Sequence, residues 1–499
     1  MMATVTEIKS DAQETGAWLG SNIWDGRAFD GDWTPLQTSA NVLEPATGAV
    51  LGSVGLASPE DIRAAAVAAK SAQKSWAATG YDERAAILRA AAAVAEKYRA
   101  EIVDWIVRES GSIIAKAEYE VAVSIKLLHE ASAMPSQACG QVLPSSPGRL
   151  SMARRRPLGV VGVISPFNFP LYLAIRAVAP AIAVGNAVVL KPDPRTAVCG
   201  GFSIARIFEE AGLPKGVLHV LAGDGAAGAA LCSDPDVAMI QFTGSTAAGR
   251  KVGEAAGRHL KKVSLELGGK NALIILDDAD IDLAVKATKW GAYLHQGQIC
   301  MATGRVLVHE RIAEQFTKAL AQSATQLPVG DPASGQVALG PLINEAQVAH
   351  ATRVVENSVA AGATIEAGGT ADGLFFQPTV LSNVLPGNPA FEEEIFAPVA
   401  VVTPFASDEE AIAIANNGDY GLSAGVITAS LERALAFADQ LHVGLLHIND
   451  QTVNEEVVNP FGGTGASGNG TSIGGPANWE EFTHWQWLTM RGVVPAYPL

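Results

Sequence analysis

Apolar side chains follow two different rhythms along this chain, and the change from one to the other divides it. After Ser58-Pro59-Glu60-Asp61 the positions Ile62, Ala66, Ala69 and Trp76 recur at helical spacing, which predicts a helix to about Ala78. Ser58 can cap that helix, Pro59 fits its first turn, and the two acids suit the positive end of its dipole. A longer helix is expected from about Asp82 to Glu109. It carries Leu88, Ala91, Ala95, Tyr98, Ile102 and Trp105 at three- and four-residue steps, and Gly111 can end it. A third helix starts near Ile114. From Cys139 to Arg156 the pattern turns irregular, with Pro144, Pro147 and the run Arg154-Arg155-Arg156, and reads as an excursion from the main body.

Short apolar runs then alternate with helical stretches. Strands are expected at Gly159–Ile164, Ala187–Leu190, Gly216–Leu221, Ala238–Phe242 and Val263–Leu265, with helices at Leu171–Val184 and Thr196–Ala211 among them. A second alternation follows Gly269. Its strands are Ala272–Leu276, Arg305–His309, Val399–Thr403, Gly425–Thr428 and Gly444–Ile448. Its helices are Ile281–His295, Arg311–Leu327, Glu345–Ala361, Asp408–Asn416 and Leu431–Gln440. Alternation of this kind specifies parallel sheets covered by helices on both faces, so the chain is α/β with two such domains. Ligands of these sheets gather at the carboxyl ends of the strands. From Asn478 onward, Phe482, Trp485, Trp487 and Leu488 partly alternate with polar residues, as in a strand seeking a sheet, either its own domain's or another subunit's.

Composition narrows the function. A length of 499 residues, 48% hydrophobic and 17% charged, with 50 glycines, suits a compact enzyme of more than one domain. The net charge of −16 argues against nucleic acid or an anionic membrane surface as a partner. The stretch before Leu19 carries Glu7, Asp11 and Glu14 and no apolar core, so a frayed tail is expected there rather than a signal peptide. Pro166, Asn168, Pro170, Arg176, Pro180 and Asn186 break the apolar region 158–190, which is therefore core and not a membrane span. Cys139, Cys199, Cys232 and Cys300 are scattered. That spacing argues against a disulfide framework or a zinc site and suits the reducing cytoplasm.

The candidate chemistry centres on Gln296-Gly297-Gln298-Ile299-Cys300 and on Glu266, 34 positions upstream. A thiol can add to a carbonyl carbon, and a carboxylate can later activate the water that cleaves the acyl intermediate. Singly, each residue has a plainer reading, a small buried hydrophobe and a surface charge. Phe242-Thr243-Gly244-Ser245-Thr246 follows a strand and opens a helix, where backbone N–H groups can meet a pyrophosphate; an ordinary capped turn is the alternative. Asn168, after the strand ending at Ile164, is either an oxyanion donor or a turn asparagine beside Pro170. Lys191 is either a ribose or phosphate contact or a surface charge. Glu394 and Phe396 offer a carboxylate and an aromatic two residues apart, or merely an acidic loop.

Taken together, these segments resemble the aldehyde dehydrogenase superfamily from about Asp25 to Met490. The cysteine segment, Leu265-Glu266-Leu267-Gly268-Gly269, Pro166-Phe167-Asn168-Phe169-Pro170, Phe242–Thr246, Glu394-Ile395-Phe396 and Pro460-Phe461-Gly462-Gly463 stand in the family's order and spacing. The resemblance is greatest to the benzaldehyde dehydrogenases of aromatic degradation, through 295–298, 447–451 and 461–468. It implies Cys300 as nucleophile, Glu266 as base for deacylation, and Asn168 with the Cys300 N–H as oxyanion donors. It further implies a coenzyme held by Ile164, Ser165, Pro166, Lys191, Asp193, Gly228, Phe242, Gly244, Ser245, Leu267, Glu394 and Phe396. The implied fold has a cofactor domain (20–132, 157–268 and 449–477), a catalytic domain (269–448) and a small β oligomerisation flap (133–156 and 478–499). A homodimer or homotetramer follows, acting on a small aldehyde with no metal.

Three departures matter. Pro194 stands where many NAD-linked members carry a glutamate, and Arg195 beside it leaves NADP open alongside NAD. Ala397 replaces a glycine, and Phe167 a tryptophan. For the substrate, Phe169, Tyr172, Trp290 and Phe461 can line an aromatic tunnel or simply fill a core. Arg176, one turn after Tyr172, can hold a carboxylate, which favours a semialdehyde as the alternative substrate. Asn449 or Gln451 can meet a ring hydroxyl, as vanillin would need. A non-catalytic nucleotide-binding relative is the remaining alternative, and the joint presence of Cys300, Glu266 and Asn168 speaks against it.

Overall fold

The computed structural model describes residues 17–497, so the expected frayed tail with Glu7, Asp11 and Glu14 lies outside the described residues. Two seven-stranded sheets organise the chain. In the first, Lys262–Glu266, Val237–Thr243, Val160–Ile164, Ala187–Lys191 and Leu218–Val220 lie side by side and parallel. Arg27–Phe29 and Trp33–Pro35 extend its far edge in antiparallel fashion. In the second, Thr379–Ser382, Val399–Phe405, Thr303–His309, Asn271–Ile275, Ser423–Ile427 and Leu445–Ile448 run parallel, with Thr364–Ala367 antiparallel at one edge. The central strands Val160–Ile164, Ala187–Lys191 and Asn271–Ile275 are buried at every position, which is why they read as unbroken apolar runs.

The helix Pro59–Ala78 starts as expected, with a complete capping box between Ser58 and Asp61. The expected single helix to Glu109 is instead two, Tyr81–Lys97 and Arg99–Ser110. Tyr98 leaves helical geometry between them, its ring stacked on Trp18 at 4.3 Å. The expected helix Thr196–Ala211 also differs. It begins as a 3₁₀ turn (Pro194–Thr196) and a π turn (Val198–Phe202) before the α-helix Ser203–Glu210. Buried Glu109 accepts the N–H groups of Val198 (3.0 Å) and Cys199 (2.7 Å) there, a long-range contact that local periodicity does not carry.

The Cys139–Arg156 excursion contains the strands Gly140–Val142 and Arg149–Pro157. The C-terminal strand Thr483–Arg491 pairs antiparallel with Arg149–Pro157 of its own chain, from Thr483 opposite Pro157 to Arg491 opposite Arg149. It forms one edge of this three-stranded sheet. Among the described residues no helix is long and apolar enough to cross a membrane.

Candidate active site

Strands that end side by side leave their following turns around one depression, and a cavity of about 420 Å³ lies there. Ile164, Ser165 and Pro166 line it from one strand end, Lys191 and Asp193 from the next, Phe242, Gly244 and Ser245 from a third, and Leu267 from a fourth. Glu394 and Phe396 close it from the second-sheet side. A second cavity of about 290 Å³ is lined by Phe169, Tyr172, Trp290, Gln451 and Phe461 with several apolar neighbours. Asn168, Leu173 and Cys300 line both. Four expected residues, Gly228, Glu266, Arg176 and Asn449, stand outside both linings. Gly228 lies behind Lys191, its would-be Cβ 3.5 Å from the lysine Cε, and Glu266 and Arg176 are buried in the walls.

The Cys300 turn is over-determined. His295, Gln296 and Gly297 all take positive φ, and a side chain on Gly297 would strike the Ala397 carbonyl at 2.3 Å. Gln296 Nε2 donates to the carbonyls of Gly111 (2.8 Å) and Pro341 (2.9 Å), and Gln298 Oε1 accepts from the Ile343 N–H. Asn271 Nδ2 holds the Cys300 carbonyl at 2.8 Å. Strain of this kind persists only where such contacts enforce it. Burial pushes the Cys300 thiol up to about 12; Arg176 opposes the rise, and Glu394, Glu455 and Glu266 add to it. The resting group is therefore the thiol.

Glu266 ends its strand buried, and among the described residues neither carboxyl oxygen has a hydrogen-bond partner. Burial holds its pKa well above the usual carboxylate range, against the pull of Arg176. An orphaned buried carboxyl is costly, and its place beside a thiol-lined cavity makes it a candidate base. Asn168 gives one Nδ2 hydrogen to the Gln298 carbonyl (2.9 Å), which leaves the other available. Among the described residues the Cys300 N–H has no acceptor. Asn168 itself is fixed through its carbonyl, which accepts from Lys116 Nζ at 2.7 Å.

The residues around the larger cavity fit a dinucleotide. Ser245 caps the helix Thr246–Arg258, whose first N–H groups face the cavity's end of the strand. Ser165 Oγ is buried and has no partner among the described residues. Lys191 Nζ donates to the Gly223 carbonyl (2.7 Å), and burial lowers its pKa. Glu394 Oε1 accepts the Gly269 N–H at 3.0 Å, and burial raises its pKa to about 7. Its carboxylate lies so close to Gly268 that a Cβ there would meet Oε2 at 2.3 Å. Phe396 sits at φ 54°, held by Gln347 Nε2, which donates to the carbonyls of Ile395 and Phe396. Arg195 is taken up by Asp193 (2.6 Å) and lies over the Phe167 ring.

In the smaller cavity the substrate-side expectation needs one correction. Arg176 does not offer its charge to a ligand, because it pairs with Glu455 at 2.6 Å inside the wall. Tyr172 Oη donates to the same Glu455 oxygen at 2.8 Å. Gln451 bonds back to its own loop at Val453, and Asn449 accepts the Thr428 N–H away from the cavity. Sequence reasoning missed Glu455, Tyr119, Gln347 and the buried Lys116–Glu120 pair. Glu120 Oε1 accepts the N–H groups of Leu171 and Tyr172 and so anchors the helix Pro170–Ala183 under the aromatic wall. Only the Lys116–Glu120 pair had a signal, its i,i+4 spacing in an expected helix.

The model of the aldehyde dehydrogenase family matches residues 33–488. The chain is 55% identical over 484 residues to a vanillin dehydrogenase of Amycolatopsis sp., covering 97% of this chain and all of that protein. It is 50% identical over 478 residues to the benzaldehyde dehydrogenase [NAD(+)] of Pseudomonas putida, covering 95% and 98%. Its fold is similar to the crystal structure of betaine aldehyde dehydrogenase from Staphylococcus aureus in complex with NAD+. That match has a TM-score of 0.93 and 28% identity, over 96% of this chain and 97% of that one.

Proposed function

Since this chain belongs to the aldehyde dehydrogenase family, we propose that it oxidises aromatic aldehydes of the benzaldehyde type to carboxylic acids with NAD, through an acyl intermediate on Cys300. The observation that carries the reading is the position of Cys300 in the shared wall of the cavity at the strand ends and an aromatic-lined one. The named relatives point the same way, one to vanillin and one to benzaldehyde and NAD(+).

In the mechanism we infer, the Cys300 thiol releases its proton to solvent and the thiolate Sγ adds to the aldehyde carbon. The oxyanion takes hydrogen bonds from the free Asn168 amide hydrogen and the Cys300 N–H, donors that are in place before charge develops. A nicotinamide coenzyme, when bound, supplies the acceptor for the hydride. Lys191, Glu394 and the helix N-terminus at Ser245 would hold it, and Phe396 would set its position. Loss of the hydride leaves a thioester on Cys300. Glu266 then takes a proton from a water that attacks the thioester carbon, the acid departs, and the thiol re-forms.

The semialdehyde alternative loses its anchor with Arg176 engaged by Glu455. NADP is disfavoured because Asp193 engages the Arg195 guanidinium that would otherwise be free for a 2′-phosphate. We assign 20–132, 157–268 and 449–477 to coenzyme binding, 269–448 to catalysis, and 133–156 with 478–499 to a flap that joins copies into a dimer or tetramer. Exposed Trp485 and Trp487 on the flap's edge strand support that role. Four free cysteines suit a cytoplasmic setting. Initial rates with benzaldehyde and succinate semialdehyde test the reading. A kcat/KM preference of about a hundredfold for benzaldehyde supports it, and the reverse preference sinks it.

A further inference from the structure

The smaller cavity is not purely apolar, and one of its two carboxylates, Glu455, is unusual. Glu455 Oε1 accepts from both Tyr172 Oη (2.8 Å) and Arg176 Nη1 (2.6 Å), so the carboxylate is fixed and charge-balanced. Among the described residues Oε2 accepts from nothing, although Glu455 lines the cavity. Unlike the orphaned oxygens of Glu266, it is not sealed from solvent. The protein thus already seats one phenol, that of Tyr172, on one oxygen of this carboxylate and leaves the other unengaged on a residue that lines the cavity where an aromatic substrate would lie. Of the two carboxylates that line the cavity among the described residues, Glu455 is the one with an oxygen that accepts nothing. Gln451 is consumed by Val453, and Asp450 accepts from Gln451 and Asn454.

We propose that Glu455 is a specificity-determining residue that accepts a hydrogen bond from a ring hydroxyl, so that the preferred substrates are hydroxylated aromatic aldehydes. The proposal rests on the aromatic reading above. Cys300 holds the carbonyl at one end of the cavity, and the Glu455 charge is near enough to act on the Cys300 thiol. A substrate ring bridges the two. A hydrogen bond to a charged acceptor is stronger than one between neutral groups, and a site built around it penalises an analogue that lacks the donor.

The test compares 3- and 4-hydroxybenzaldehyde with their methoxy counterparts and with benzaldehyde, in the wild type and two variants. Methoxy keeps the ring and adds bulk but has no proton to donate. In the wild type, one hydroxy isomer should exceed its methoxy partner in kcat/KM by about tenfold or more. Glu455→Gln should cut that ratio several-fold. The double variant Arg176→Met, Glu455→Leu should abolish it without leaving a buried unpaired charge, since replacing both partners of such a pair by apolar residues is usually tolerated. The ratio within each variant is the readout, so a general loss of rate does not confuse it. A hydroxyl preference that persists in the double variant, or is absent from the wild type, overturns the proposal. Failure of the aromatic reading itself has a different signature, poor turnover of all five aromatic aldehydes beside rapid turnover of an aliphatic one such as hexanal.

Discussion

The two cavities that meet at Cys300 are built in opposite ways. The coenzyme-side cavity takes much of its lining from turns that follow parallel strands of the first sheet, with Gln347, His350, Glu394 and Phe396 closing it from the other side. The aldehyde-side cavity takes its lining from the flank of the helix Pro170–Ala183, the end of the helix Ile281–Tyr293, and the loop after Leu445–Ile448. The first wall includes glycine and serine turns at strand ends, such as Gly244 and Ser245, and the second is lined by large side chains such as Phe169, Tyr172, Trp290 and Phe461. The first can therefore hold a phosphate-bearing ligand whose shape is set by the sheet. The second can change its preference by exchange of one side chain, with the strands left untouched.

The sharpest break is at the shared wall. Cys300→Ala should lower turnover by at least about 10⁴-fold, as loss of a nucleophile does, while NAD titration by tryptophan fluorescence stays near the wild-type affinity. Retention of substantial turnover would overturn the covalent mechanism. Glu266→Gln comes next, with a steady-state loss of about 10²–10⁴-fold but a surviving NADH burst in stopped flow, because acylation precedes the water step. The pH dependence has a definite sign. Glu266 must be unprotonated to serve as base, and burial raises its pKa. Activity should therefore fall as pH drops through a value above the ordinary carboxylate range. A limb at the unperturbed carboxylate position would contradict its burial.

Side-specific variants then sharpen the contrast. Lys191→Ala should raise the NAD KM by roughly ten- to a hundredfold and leave the benzaldehyde KM within about threefold, an effect confined to one cavity. Equal changes in both would mean the cavities are not separable. The smallest effect is expected from Asp193→Ala, which frees Arg195 from its 2.6 Å pair. NADP kcat/KM should rise by about tenfold relative to NAD, read from initial rates with both coenzymes. No gain would show that Arg195 does not reach a 2′-phosphate.

Legibility followed the same division. The strands Val160–Ile164, Ala187–Lys191 and Asn271–Ile275 were evident as apolar runs because both of their faces are covered. The outer strands Arg27–Phe29, Trp33–Pro35, Thr364–Ala367 and Thr379–Ser382, at or next to sheet edges, escaped notice, being only three or four residues long. The break at Tyr98 was invisible for another reason. Its apolar spacing continues through the break, and the stacking partner Trp18 lies 80 residues away. Glu455 had no local mark either, since an acid in a loop reads as a solvated charge until Arg176 and Tyr172 are seen against it.

By itself the sequence determined the α/β class, the order of strands and helices, and the chemical kinds of residue set at strand ends. Those features depend on neighbours within one or two turns of chain, where periodicity and capping act. Tertiary structure alone decided that Cys300 stands between two cavities, that Glu266 is buried without a partner among the described residues, and that Arg176 spends its charge on Glu455. Each of those facts joins segments tens to hundreds of residues apart. Burial and pairing, which set a group's pKa and its freedom to act, are properties of that meeting and not of any segment alone.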